Sequence, residues 1–116
     1  MTSLRLRLFF NDFKLGPGKA ELMERIRDTG SISAAGRQMK MSYKRAWTLV
    51  EEMNTAFTAP LVSSARGGPG GGGAHLTEAG VEVLRLFRAL EAAAQTAAAP
   101  HVAALEKMLC VISRQK

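Results

Sequence analysis

The sequence predicts a mostly α (α+β) domain: a winged helix-turn-helix with an N-terminal strand, a Gly-rich β wing and long C-terminal helices. Three observations lead there. Residues 33–57 hold two helical patterns joined by a tight corner. A strand, glycine run and second extended segment follow directly at 61–76. Beyond residue 80, two stretches carry apolar residues at heptad spacing. The division this gives is 1–80 for the winged unit and 81–116 for the terminal helices.

At the N-terminus Leu4, Leu6, Leu8 and Phe10 alternate with Arg5, Arg7, Phe9 and Asn11, a period of two that fits a half-buried strand with a partly basic outer side. Gly16-Pro17-Gly18 ends it and opens a helix, since proline is preorganised for the first helical position. Leu22, Met23 and Ile26 form the inner stripe of that helix, with Glu21, Glu24, Arg25 and Asp28 outside. Gly30 is placed to close it as a left-handed cap.

The next helix is expected over 33–39 and its successor over 42–57, with Ser33 and Ser42 as the hydroxyl caps. Ala46, Leu49, Val50, Met53 and Phe57 make one apolar face of the longer helix. Lys44, Thr48 and Glu51 then point away from it, with Arg45 on a flank and Tyr43 nearer the core edge. The corner Met39-Lys40-Met41 contains no glycine, and a positive φ at Lys40 would cost about 1 kcal/mol.

Charge suggests a purpose for the outer face. Residues 33–48 carry Arg37, Lys40, Lys44 and Arg45 and no acid; Glu51 and Glu52 come only later. The start of the second helix therefore combines cations, hydroxyls and the positive end of the helix dipole, which suits phosphates and base edges in a major groove. An ordinary helical hairpin with a solvated basic face is the competing reading.

Pro60 ends the helical stretch, and 61–65 reads as a short strand. Arg66, Gly67, Gly68, Pro69 and Gly70 to Gly73 follow, and extended chain resumes at His75 and Leu76. This is the order of a wing, whose glycines let backbone approach a phosphate closely. No Gly-Lys-Ser/Thr opens a helix here, so a P-loop is excluded, and no βαβ unit supports a dinucleotide site. A plain flexible linker remains the alternative.

Thr77 caps a long helix with Glu78 in its first turn. Val83, Phe87, Leu90, Ala94 and Ala97 form a heptad seam. Pro100 is expected to interrupt it, and Val102, Leu105, Leu109 and Ile112 form a second seam on a last helix. Such surface suits a homodimer interface, with packing onto the chain's own body as the alternative.

The whole chain sets limits consistent with these elements. It has 116 residues and a net charge of +6, with 11 Lys/Arg against 6 Asp/Glu in residues 1–66 and 5 against 4 beyond. The basic excess belongs to the helix-turn-helix half and calls for an acidic polymer as partner. Cys110 is the single cysteine, so no internal disulfide forms and a reducing cytoplasm fits. Neither an apolar run of membrane-spanning length nor a signal peptide is visible, so no membrane association is expected. His75 and His101 lack partners at metal-ligand spacing, and no nucleophile–base or paired-carboxylate arrangement appears. No catalytic residue, no metal and no enzymatic activity are expected.

Gly30-Ser31-Ile32-Ser33, Ser42-Tyr43-Lys44 with Ala46-Trp47, Glu52-Met53-Asn54, the loop from Gly67 to Ala74, and Leu76-Thr77 with Gly80 occur in that order. Together they resemble the N-terminal DNA-binding domain of the ModE family, the molybdate-responsive bacterial regulators, a winged helix of the LysR type. The likeness covers about residues 30–80. It implies a cytoplasmic, nucleoid-associated transcription regulator that binds double-stranded DNA, with an inverted repeat as its site. Ser42, Tyr43, Lys44 and Arg45 match the start of the family's recognition helix, and Arg66 with Gly67, Gly68, Gly70 and Gly71 its wing. Arg37, Lys40 and Thr48 join these as DNA contacts, while Trp47 is expected to be structural. The family dimerises through helices flanking the winged unit. Its molybdate-binding domains are small β-barrels, and nothing in 77–116 reads as strands. No cofactor is therefore expected; a small ligand such as molybdate would act either at the dimer interface or through a separate sensing protein. A winged-helix adaptor that docks a protein partner, with little sequence-specific DNA binding, is the alternative.

Overall fold

The computed structural model describes residues 2–65 and 73–109. Strands β1 (Leu8–Phe10) and β2 (Phe13–Leu15) pair antiparallel, with Phe9 opposite Lys14 and Phe10 opposite Phe13. Of the strand expected from Leu4 onward only Leu8–Phe10 forms, and it is the first arm of a hairpin; residues 4–7 have no strand partner and stay outside it. The turn falls at Asn11-Asp12, where Asn11 takes φ 47°; asparagine tolerates this left-handed conformation. Pleating turns Leu8, Phe13 and Leu15 toward the body and leaves Phe9 and Lys14 exposed.

Helix α1 (Pro17–Thr29) begins at Pro17 and ends at Gly30, whose φ of 71° and N–H to the Ile26 carbonyl (2.8 Å) form the expected left-handed cap. Ala20, Leu22, Met23 and Ile26 are fully buried. Helix α2 (Ile32–Gln38) starts one residue earlier than expected. Ser31, not Ser33, accepts the Ala34 N–H at 3.0 Å and caps it. Capping at Ser31 sets Ile32 and Ala35 into the core, whereas Ser33 lies one turn before Arg37 and accepts from its guanidinium.

Helix α3 (Tyr43–Ala56) presents the predicted face: Ala46, Leu49, Val50 and Met53 are buried, and Phe57 packs at its end against Phe13. Strands β3 (Val62–Ser64) and β4 (Ala74–Leu76) pair antiparallel as the base of the wing, Val62 opposite Leu76. The Ala74 N–H donates to the Gly30 carbonyl at 2.9 Å, fastening the wing to the end of α1. Leu61, Val62 and Ala74 complete the core from this side.

Helix α4 (Glu78–Lys107) is capped by Thr77, whose hydroxyl accepts the Gly80 N–H. It is one continuous helix of 30 residues, so the interruption expected at Pro100 does not occur. Proline removes one intrahelical hydrogen bond, but the segment around residue 100 is exposed and water can take the orphaned carbonyl. The first part of α4 packs on α1, with Leu84 and Phe87 buried and Arg88 bidentate on Glu24 (2.8 and 3.0 Å). Hydrogen bonding to Glu24 first, then Glu91, holds the Arg88 guanidinium above its ordinary pKa. Among the described residues no helix is long and apolar enough to cross a membrane.

Candidate nucleic-acid interface

The corner between α2 and α3 depends on one close approach. A Cβ on Gly36 would lie 2.9 Å from the Cβ of Ala46, so glycine lets the two helices cross with almost no spacer. The glycine such a motif favours is therefore inside α2 rather than in the turn. Lys40 makes the turn itself, with φ 61°, as the sequence anticipates. The Lys40 N–H reaches the Arg37 carbonyl and the Met41 N–H the Gly36 carbonyl, both at 3.0 Å, so the end of α2 is satisfied within the turn. Ser42 then accepts the Arg45 N–H at 3.0 Å and starts α3.

These contacts hold the first turn of α3 outward. Ser42, Tyr43, Lys44 and Arg45 are exposed, as are Arg37 and Lys40 behind them. Thr48 is half-buried, and its hydroxyl donates to the Lys44 carbonyl at 2.9 Å, keeping its oxygen lone pairs as acceptors. Tyr43 is 60% exposed, further out than the core edge where the periodicity sets it, and meets Trp47 edge-on at 6.1 Å. Trp47 packs against the core, in keeping with a structural role.

In α1 and the first half of α4 the cations are paired: Lys19 with Glu52, Arg25 with Glu21, Arg27 with Asp28, Arg85 with Glu82, and Arg88 with Glu24 and Glu91. Among the described residues, no carboxylate lies within 4.0 Å of Arg37, Lys40, Lys44 or Arg45. Their charge is available to an external anion.

At about 100° per residue, α3 has four sides. Ala46, Leu49, Val50 and Met53 face the core; Lys44, Thr48, Glu51 and Thr55 face away from it. Tyr43, Trp47 and Asn54 take the flank toward the wing. Asn54 joins that flank to β3: its Nδ2 donates to the Val62 carbonyl (3.0 Å), and its Oδ1 accepts from Leu61 and Val62 N–H (2.8 and 3.0 Å). This clamp fixes the angle between helix and wing. Sequence reasoning gave Asn54 no role, because an asparagine late in a helix has no periodic signature; only its place in the family-like Glu52-Met53-Asn54 run marked it. Arg66, Gly67, Gly68, Gly70 and Gly71, the proposed wing contacts, lie outside the described residues.

The expected dimer seam divides. Phe87 is committed to the core of its own chain at 1% exposure, which removes it from any interface. Val83 and Leu90 pack half-buried against the same core. Val102 is half-buried and Leu105 exposed; Leu109, also exposed, lies past the end of α4 at Lys107, so the second seam is not carried that far on the helix. Ile112 lies outside the described residues. His75 and His101 are both exposed, and among the described residues no group of His, Cys, Asp or Glu is arranged to hold a metal.

Residues 19–81, from α1 through the first turn of α4, match the bacterial regulatory helix-turn-helix proteins of the lysR family. The chain is 46% identical over 79 residues to the molybdenum-pterin-binding protein MopB of Rhodobacter capsulatus, covering 68% of this chain and 29% of that protein. It is 40% identical over 94 residues to the transcriptional regulator ModE of Yersinia pestis, covering 81% of this chain and 34% of the relative. Identity is 41% over 71 residues to the DNA-binding transcriptional dual regulator ModE of Escherichia coli K12, with 61% and 27% covered. The chain spans about a third of the length of these relatives or less. With the helix-turn-helix corner, the wing base and a matching segment that takes in more than half its residues, the chain belongs to the lysR family of bacterial regulatory helix-turn-helix proteins.

Proposed function

We propose that this domain binds double-stranded DNA sequence-specifically, as a homodimer, and so regulates transcription. The observation that carries the reading is the first turn of α3: capped, exposed, and bearing cations that no carboxylate of the described residues neutralises. In this reading Lys44, Arg45, Ser42 and Thr48 meet base edges, and Tyr43 meets a thymine methyl or a phosphate. Arg37, Lys40, Arg66 and the wing backbone at Gly67, Gly68, Gly70 and Gly71 meet phosphates and set the register.

The distal part of α4 supports the dimer. Leu105 is 63% exposed and is accompanied by Met108 and Leu109, apolar surface for which a second copy of the helix is the proposed cover. The same surface would serve the second reading, a winged-helix adaptor that docks another protein and binds DNA only weakly. The printed name of the Rhodobacter capsulatus relative ties that protein to molybdenum. By that likeness we propose that the regulated genes are molybdenum-related.

Selection of bound duplexes from a random pool by the purified chain tests the reading. Enrichment of an inverted repeat, with half-sites about one helical turn or a multiple of it apart, is expected. If the dimer neutralises some 6–10 phosphates, log K falls against log salt with a slope of about −5 to −9. A pool that emerges without enrichment favours the adaptor.

A further inference from the structure

The N-terminal hairpin is not part of the helix-turn-helix, yet it borders the exposed side of α3. Phe13 of β2 meets Phe57 edge-on at 5.5 Å, and the Lys19 ammonium lies 3.6 Å from Glu52 and 5.1 Å from the Phe13 ring. These contacts seat the hairpin, with Lys19 of α1, at the C-terminal end of α3, on the flank that carries Glu52 and, two turns earlier, Arg45. On the helical wheel Arg45 lies about 180°, and Glu52 about 160°, from Asn54, which holds the wing. Hairpin and wing therefore stand on opposite sides of α3, with Lys44, Thr48 and Glu51 on the stripe between them.

Between hairpin and helix runs an open groove of about 1200 Å³, whose lining includes Arg7, Lys14 and Lys19 on one side and Arg45 and Thr48 on the other. Asp12, Glu51 and Glu52 also reach it, Glu52 already paired with Lys19. Arg7 and Lys14, like Arg5 two residues before Arg7, have no carboxylate within 4.0 Å among the described residues. Phe9, 68% exposed, lies beside Lys14 with the ammonium 5.9 Å from its ring. The cations that remain unpaired around α3 thus include two that flank it from the hairpin.

We infer that the β1–β2 hairpin is a second sugar–phosphate contact, matching the wing on the far side of α3, with Arg7 and Lys14 as the residues that meet the backbone. The inference rests on the DNA-binding reading above. A helix whose outward stripe enters a major groove has a phosphate backbone on each flank. The wing is proposed for one, and the hairpin occupies the position of the other. Charge complementarity selects the partner: guanidinium and ammonium groups without internal partners, continuous through Arg45 with the cations of α3. Asp12 at the tip opposes the contact and limits how far the hairpin can close on the backbone.

The test compares the intact chain with Arg7→Gln/Lys14→Gln and with Asp12→Asn. The probes are a duplex recovered by the intact chain from a random pool and a scrambled duplex of equal length. The double variant is expected to lose affinity for both duplexes by a similar factor. Its salt slope should shrink by about 0.9 for each phosphate contact removed. The ratio of affinities for the two duplexes is expected to stay unchanged, because phosphates carry no sequence. Asp12→Asn, which leaves every basic side chain in place, is expected to tighten binding to both. Hydroxyl-radical cleavage is expected to show lost backbone protection at the edge of the protected site in the double variant. Arg7 packs over Gly16, so circular dichroism checks that each variant folds. A folded double variant with unchanged slope and protection overturns the inference while leaving the DNA-binding reading standing, as does an Asp12→Asn variant that binds no tighter when the double variant has misfolded. An intact chain that binds neither duplex overturns both.

Discussion

Gly80→Ala puts the join between wing and terminal helix to a direct test. A Cβ on Gly80 would lie 2.1 Å from the carbonyl oxygen of Leu61 and 3.0 Å from its carbonyl carbon. Ordinary C···O contacts lie near 3.3–3.6 Å, so the first turn of α4 must retreat from β3 by roughly 1 Å. Retreat strains the Thr77 N–H bond to Leu61 O (2.9 Å) and the Thr77 hydroxyl bond to Pro60 O (2.6 Å). Each contributes about 1 kcal/mol, and overpacking adds about 1–3 kcal/mol. Better helix propensity returns up to about 1 kcal/mol. The net expectation is a loss of about 2–4 kcal/mol, or roughly 10 °C in Tm for a domain of this size. Thermal and urea denaturation followed by circular dichroism measure it. Gly18→Ala is the control: no atom lies within 4 Å of a Cβ there, and stability is expected to stay level or rise by up to about 1 kcal/mol. A Gly80→Ala protein within about 0.5 kcal/mol of the parent, a shift typical of neutral surface substitutions, would refute the close packing of α4 on Leu61.

Other substitutions test neighbouring parts of the account. Ser42→Ala removes the cap of α3 and is expected to lower stability by about 1 kcal/mol in urea titrations, with weaker DNA binding beside it. Asn54→Ala leaves the N–H groups of buried Leu61 and Val62 without their acceptor. A loss of about 2–6 kcal/mol is expected, at about 1–3 kcal/mol for each orphaned buried donor. Pro100→Ala restores an intrahelical hydrogen bond in the exposed half of α4. Helical circular dichroism and stability are expected to rise, the latter by up to about 3 kcal/mol. A fall in helicity would mean that the proline is what the helix is shaped around.

The parts of this fold legible in the sequence are those set by local chemistry. Gly30 and Ser42 announce helix ends because a left-handed cap and a hydroxyl cap are each met by few residue types. The apolar face of α3 is a period, and periods survive folding. What escaped depends on partners distant in sequence or on solvent. Ser31 and Ser33 are equally good caps in isolation, and burial of Ile32 decides between them. The hairpin turn at Asn11-Asp12 lacks glycine, so no local signal marks the second strand. Interior proline is costly and so signals a break at Pro100, but α4 is exposed there and water can take the orphaned carbonyl. Phe87 fitted a heptad seam, yet the same spacing serves a helix packed on its own body. The clamp at Asn54 needs β3 to be in place before it has any meaning. At the interface, the sequence indicated which residues are basic; that they lack carboxylate partners is a property of the packed chain.

The most direct measurement is an equilibrium titration of the intact chain and of Lys44→Ala/Arg45→Ala against a selected duplex and a scrambled one at fixed salt. For the intact chain a preference of at least about 10³ is expected, the lower end for specific DNA binders. Because each lost base contact removes about 1–3 kcal/mol of discrimination, the double variant is expected to bind both duplexes with nearly equal, weak affinity while melting like the parent. A folded double variant that keeps the full preference would contradict the assignment of base reading to the first turn of α3.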